Sequence, residues 1–126
     1  MSGAPVRVLV VDDAAYMRAM IRDILINTGG YEVVAEAASG KEAVRLYEEL
    51  RPAMVTMDIV LPGLDGIQAT RRILTIDPEA VIVMCSALGQ EALVLESIAA
   101  GARDFIVKPF TPDKVLRVLE TLFPVP

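Results

Sequence analysis

A chain of 126 residues has room for one domain with a buried core and no room for two. Hydrophobic residues make up 54% and aromatics only 5%, a balance that suits aliphatic strands between amphipathic helices and excludes a disordered chain. The net charge of −5, scattered Lys and Arg, no histidine, and no apolar run near the roughly 18–20 residues that span a bilayer exclude a nucleic-acid partner, a membrane and imidazole chemistry.

In chain order, "MSGAPVR" carries no signal-peptide pattern and leads into a strand, "VRVLVVD" (6–12), so the expected compartment is the cytoplasm. Met17, Met20, Ile21, Ile24 and Leu25 recur at spacings of three and four and describe one helix face, ended by Gly29-Gly30. "YEVVAEA" (31–37) alternates and reads as an edge strand. "SGKEAVRLYEEL" opens with the capping box Ser39 and Glu42 and sets Ala43, Tyr47 and Leu50 on one side of a second helix. A third strand, "AMVTMD" (53–58), precedes a helix suggested by Ile67, Ile73 and Leu74. The fourth strand, "AVIVMCS" (80–86), holds the single cysteine, Cys85, which reads as a buried inert thiol. Residues 90–100 form a fourth helix with Gly101 past its end. "DFIVK" (104–108) is the fifth strand, and Thr111-Pro112 are the cap and first position of a helix that stops at Pro124. With no linker or low-complexity stretch, one domain over 1–126 without an effector domain is expected, as a monomer.

Five strands alternating with helices are the pattern of a parallel sheet built from βαβ units, and the near-continuous apolar runs of the first, third and fourth strands suit burial on both faces. The α/β fold expected is an open doubly wound sheet, either flavodoxin-like with order 2-1-3-4-5 or Rossmann-like, and periodicity does not choose between them. Both orders gather function beyond the C-terminal strand ends.

Asp12 and Asp13, Asp58, Ser86 and Lys108-Pro109 stand at those ends. Each has an ordinary reading: Asp12 or Asp13 as a helix N-cap, Asp58 as the start of the turn "DIVLPG", Ser86 as a cap of the fourth helix, and Lys108 as a solvated lysine. Together they make a different pattern. Three carboxylates at one rim repel each other unless a cation compensates them, and hard oxygen donors suit Mg2+, with Mn2+ as an alternative. One lysine and one hydroxyl beside such a cluster are suited to a phosphoryl group held with its metal.

"VLVVDDAAYMR", "VTMDIVLPGLDG", "VMCSALG" and "DFIVKPF" resemble the four signatures of the receiver domain of two-component response regulators, in order and over essentially the whole chain. The stretch "CSALGQEALVLESIAAGARDFIVKPF" resembles most the single-domain chemotaxis members. The resemblance implies the flavodoxin-like (βα)5 order 2-1-3-4-5. By the same resemblance Asp58 is the phosphoacceptor, Asp13 a direct Mg2+ ligand, Asp12 a ligand through water, and Val60 the residue whose backbone carbonyl completes the metal site. Ser86 and Lys108 bind phosphoryl oxygens, the peptide before Pro109 is cis, and Phe105 takes the aromatic switch position. The partners implied are a separate histidine kinase as phosphodonor, an output protein such as the flagellar motor switch, and a phosphatase. The chain then switches without turning over an external substrate, exposing a face of the fourth helix, fifth strand and fifth helix, where Leu93, Val94, Leu95 and Ile98 spread wider than one buried stripe.

Two departures from the family pattern matter: Phe105 lacks the usual tyrosine hydroxyl, and Val60 and Leu88, which flank the path of an attacking water, are both apolar. A phosphatase of the haloacid-dehalogenase type needs a second Asp two residues after the nucleophile, where this chain has Val60. An FMN module needs a Gly, Ser or Thr cradle where this chain has "DDAAYMR". A phosphorelay shuttle or phosphate sink outside chemotaxis is the other reading within the family.

Overall fold

Strands that are apolar on both faces need cover on both, and the chain supplies it with helices on either side of one sheet. The computed structural model describes residues 3–124, so the outermost residues of the span 1–126 lie outside the described residues. In chain order the elements are β1 (Val6–Val11), α1 (Ala15–Thr28), β2 (Tyr31–Ala37), α2 (Gly40–Leu50), β3 (Met54–Asp58), α3 (Gly66–Ile76), β4 (Ile82–Ser86), α4 (Glu91–Ala99), β5 (Asp104–Val107) and α5 (Pro112–Leu122). All strand pairs are parallel and the order is β2-β1-β3-β4-β5, the flavodoxin-like arrangement. β2 lies at an edge, as its alternating sequence suggests.

The two-residue period of a strand sorts the core into two layers. Leu9, Val11, Val55, Met57, Ile82 and Met84 meet Ala43, Tyr47 and Ile73 on one face. Val8, Val10, Met54, Val83, Cys85 and Ile106 meet Ile21, Leu25, Val115, Val118 and Leu119 on the other. Helix α1 turns Ile21 and Leu25 inward but leaves Met20 exposed, which corrects its placement on the buried face: the covered stripe is narrower than five residues.

Local chemistry sets the helix ends. The Ser39 hydroxyl accepts from Glu42 N at 3.2 Å, and the Glu42 carboxylate reaches back to Ala38 N at 2.9 Å. Thr111 caps α5, with Pro112 at its first position. Neither Asp12 nor Asp13 is an N-cap, since Ala14 holds that place in α1 without a side-chain bond. Ser86 does not cap α4 either: it ends β4, and Ala87–Gln90 intervene before the helix starts.

Register brings the strand ends level. Val11 pairs with Met57 and Ala37, Asp58 with Cys85, and Ser86 with Val107. Backbone bonds carry the alignment one residue further, from Asp12 N to Ala37 O at 3.1 Å, Ile59 N to Cys85 O at 3.1 Å and Lys108 N to Ser86 O at 2.7 Å. All the side chains singled out at strand ends therefore share one rim.

Away from that rim, α2 is tied to the α3–β4 connection by a buried phenol. Tyr47 Oη donates to Asp77 Oδ2 at 2.7 Å, while the Arg51 guanidinium lies 3.8 Å from Asp77 and 6.0 Å from the Tyr47 ring centre. Removing that hydroxyl leaves the ring packed and a carboxylate short of one donor. Tyr47→Phe is expected to cost about 1.5–3 kcal/mol, as for other hydrogen bonds to a charged group, read as a lower urea midpoint with unchanged slope. A loss below about 0.3 kcal/mol would mean that water replaces the phenol at Asp77.

Candidate functional site

β1 and β3 end side by side in the sheet: β1 continues into Asp12, and β3 ends on Asp58. Asp12 and Asp58 are both buried, and Asp13 is exposed. One oxygen from each of the three lies within 4.8 Å of the others. β5 delivers the compensating charge: Lys108 Nζ donates to Asp12 Oδ2 at 2.8 Å and to Asp58 Oδ2 at 3.3 Å. The remaining Asp12 oxygen, Oδ1, accepts from Ala14 N at 2.9 Å. The Lys108–Pro109 peptide is cis.

The electrostatics follow from burial and from three negative charges facing one positive charge. Burial pushes the Asp58 carboxyl up to about 6, and Asp12 adds to the rise, while Lys108 opposes it and Asp13 contributes least. For Lys108, burial works against the charged form, but the hydrogen bond to Asp12 and the charges of Asp58 and Asp12 outweigh it and raise its pKa. The ammonium stays charged and the cluster keeps a negative excess. Asp13 accepts no hydrogen bond and forms no ion pair among the described residues. Hard oxygens, excess negative charge and a carboxylate with free lone pairs fit a divalent cation of the Mg2+ or Mn2+ kind.

Ser86 sits on the same rim at 1% exposure, and its Oγ is a buried polar atom with no hydrogen-bond partner among the described residues. Such an atom normally costs about 1–3 kcal/mol, so an orphan hydroxyl beside an acidic cluster calls for a functional reason. Val60 follows β3 in the adjoining loop with its side chain 54% exposed, and Leu88 stands in the β4–α4 loop at 81% exposure. Phe105 is not in the cluster. It lies on β5 two residues before Val107, the register partner of Ser86, and is 38% exposed. A groove of about 350 Å3 joins the two places, lined by Ser86, Ala87, Leu88, Val94, Leu95 and Phe105 among others.

Three further residues shape the site without being legible as site residues. Gly66 begins α3, donates its N–H to Ile59 O at 2.8 Å, and a Cβ there would collide with the Asp58 carbonyl oxygen. The signal for it was the second glycine of "LPGLDG". Gln90 turns its amide oxygen to Ala87 N at 2.8 Å and so braces the β4–α4 loop. Arg18 donates to Asp12 O at 2.7 Å and to Glu36 at 3.0 Å, and no sequence signal links residues that far apart.

The family model for the response regulator receiver domain matches residues 8–120. Over 113 residues the chain is 58% identical to the chemotaxis protein CheY of Thermotoga maritima, a span of 90% of this chain and 93% of that protein. It is 56% identical to the chemotaxis protein CheY of Bacillus subtilis over the same shares of both chains. Among solved structures, CheY in a CheX–CheY–BeF3–Mg complex from Borrelia burgdorferi superposes with a TM-score of 0.89. That match is 37% identical and covers 96% of this chain and 91% of that one.

The charge balance of the rim has a direct consequence for stability. In buffer with chelator, Asp58→Asn is expected to stabilise the fold by about 1–2 kcal/mol, because it removes a desolvated carboxylate repelled by its neighbours. Lys108→Met is expected to destabilise it by about as much, since three carboxylates then face each other uncompensated. Thermal melts of both variants beside the parent check the pair. Equal melting temperatures would show that water already screens the cluster.

Proposed function

Because the chain belongs to the response regulator receiver domain family and is CheY-like, we propose that it accepts a phosphoryl group on Asp58 from a separate phosphohistidine kinase. The observation that carries this reading is the placement of Lys108, whose ammonium bridges the buried carboxylates of Asp12 and Asp58. Such a lysine already stands where the oxygens of a group transferred to Asp58 would gather.

In the transfer, an Asp58 carboxylate oxygen attacks phosphorus in line, the bond from phosphorus to the donor imidazole nitrogen breaks, and an acyl phosphate forms. Lys108 keeps its contact with Asp12 and turns the rest of its donor capacity to a phosphoryl oxygen. Ser86 supplies the other protein donor, and its orphan hydroxyl gains the partner it lacks. Asp12, Asp13, Asp58 and the Val60 carbonyl would hold Mg2+, which when bound supplies neutralisation of the phosphoryl and carboxylate charge. Val60 stands where a haloacid-dehalogenase-type phosphatase carries its general acid, which disfavours turnover of that kind.

Capture of Ser86 also explains the switch. Drawing the end of β4 toward the phosphoryl group opens the groove to Phe105, and two packings of α4 and β5 exchange population. Leu95 at 72% exposure and half-exposed Ile98 then belong to the docking face read by the output protein. That partner is a flagellar motor switch protein in a cytoplasmic chemotaxis pathway, and a phosphatase ends the signal. The missing hydroxyl at Phe105 makes the report depend on aromatic burial alone.

Intact-mass spectrometry after incubation with acetyl phosphate tests the chemistry. One Mg2+-dependent phosphoryl adduct is expected on the parent and none on Asp58→Ala; a parent that binds Mg2+ but gains no adduct would refute the assignment. Lifetime depends on the apolar rim, because no acid or amide at 60 or 88 orients water. Val60→Ala should shorten the acyl phosphate half-life about two- to fivefold, as expected when less than about 1 kcal/mol of barrier is lost. An unchanged half-life would show that the rim does not shield the bond.

A further inference from the structure

Resting on the reading of the acidic cluster as a cation site, we infer that Arg18, braced by Glu36, is a positioning residue that holds the Asp12–Asp13 peptide and so sets the cluster's cation affinity. Asp12 and Asp13 reach their places by different means. Asp12 is pinned at both carboxylate oxygens, by Ala14 N at 2.9 Å and Lys108 Nζ at 2.8 Å. Asp13 has neither kind of support among the described residues, so its carboxylate goes wherever its backbone points.

That backbone is fixed on both sides by β2 and α1. Asp12 N donates to Ala37 O at 3.1 Å, and the carbonyl that leads from Asp12 into Asp13 accepts from Arg18 at 2.7 Å. Arg18 does not float: its Nε donates to Glu36 Oε1 at 3.0 Å, while Arg22 takes Glu36 Oε2 at 2.7 Å. Glu36 precedes Ala37 on β2, so one strand anchors the Asp12 backbone at its N–H directly and at its carbonyl through Arg18. Burial opposes ionisation of Glu36, but hydrogen bonds from Arg22 and Arg18 outweigh it and hold its carboxyl below the usual range. The guanidinium fork is what permits this, since it presents several donors in a fixed plane and a single side chain serves the carbonyl and the carboxylate at once.

Arg18 also brings a positive charge near three carboxylates, and this makes the role testable. By Coulomb attraction alone, removing that charge would tighten the binding of a dication. Loss of position would weaken it. The two effects have opposite signs, so the direction of the change identifies which one governs.

The experiment is titration calorimetry of the full chain with Mg2+ alone, followed by the acetyl phosphate reaction rate as a function of Mg2+ concentration. Arg18→Met should raise the Kd for Mg2+ about tenfold, the low end of the loss found for outer-shell partners of metal ligands. The half-saturating Mg2+ concentration in the rate assay should rise by the same factor, with a much smaller change in the maximal rate. Arg18→Lys, which retains a donor but cannot span both acceptors, should recover part of the affinity. Glu36→Gln should raise Kd by a smaller factor than Arg18→Met, and Arg45→Met, an exposed arginine of α2, should not change it. A folded Arg18→Met protein with unchanged or tighter Mg2+ binding would overturn the inference; if that variant does not fold, unchanged binding in Glu36→Gln overturns it. A parent chain that does not bind Mg2+ would overturn both the cation-site reading and this inference, whereas normal binding in parent and variants alike overturns this inference alone.

Discussion

Three carboxylates held against one ammonium are the condition around which the rim is organised. Like charges in a desolvated place drive each other apart or take up protons, and only a scaffold that cannot yield keeps them together. Parallel strands in register provide that scaffold: Asp58 stands opposite Cys85, Ser86 opposite Val107, and each is fixed by backbone bonds to its neighbour. The apolar layers above and below the sheet thus serve the site as well as the fold. Without them the repulsion at the rim would relax by moving the loops.

The same rigidity explains how a small event at one residue is felt at another. Ser86 is a buried hydroxyl with no bonding partner among the described residues, and it lines the same groove as Phe105. An unmet hydrogen bond and an unfilled groove are two local deficits within one stretch of β4, β5 and α4. A single new acceptor near Ser86 relieves the first and changes the cost of the second. Interiors close-packed elsewhere transmit such a change instead of absorbing it.

Much of this was legible in the residues. The five strand–helix repeats, the capping box at Ser39 and Glu42, and the gathering of Asp12, Asp58, Ser86 and Lys108 at strand ends all follow from period and punctuation. Strand order did not, because hydrophobic period records burial and not the identity of neighbours; the four motifs and their family supplied it. The cap readings of Asp12, Asp13 and Ser86, outweighed in the sequence by the gathering of polar groups, are absent from the fold as well. Asp12 bonds Ala14 N from outside the cap position, and Ser86 is separated from α4 by a loop that Gln90 braces. Arg18 and Glu36 escaped because their meeting depends on β1 pairing with β2, a contact that exists only after the sheet has formed. Gly66 escaped for a related reason: its need for no side chain is set by a carbonyl from another segment.

Cys85 offers a last consequence. The single thiol lies in the middle of the sheet at 2% exposure, and burial pushes its pKa well above the usual range. A thiol-specific reagent therefore meets no reactive sulfur while β3, β4 and β5 stay paired, and labelling proceeds only through openings of that region. The chain carries its own clock for the opening of its central strands. A phosphoryl group or cation that tightens the rim beside Asp58 would slow that clock without touching the sulfur.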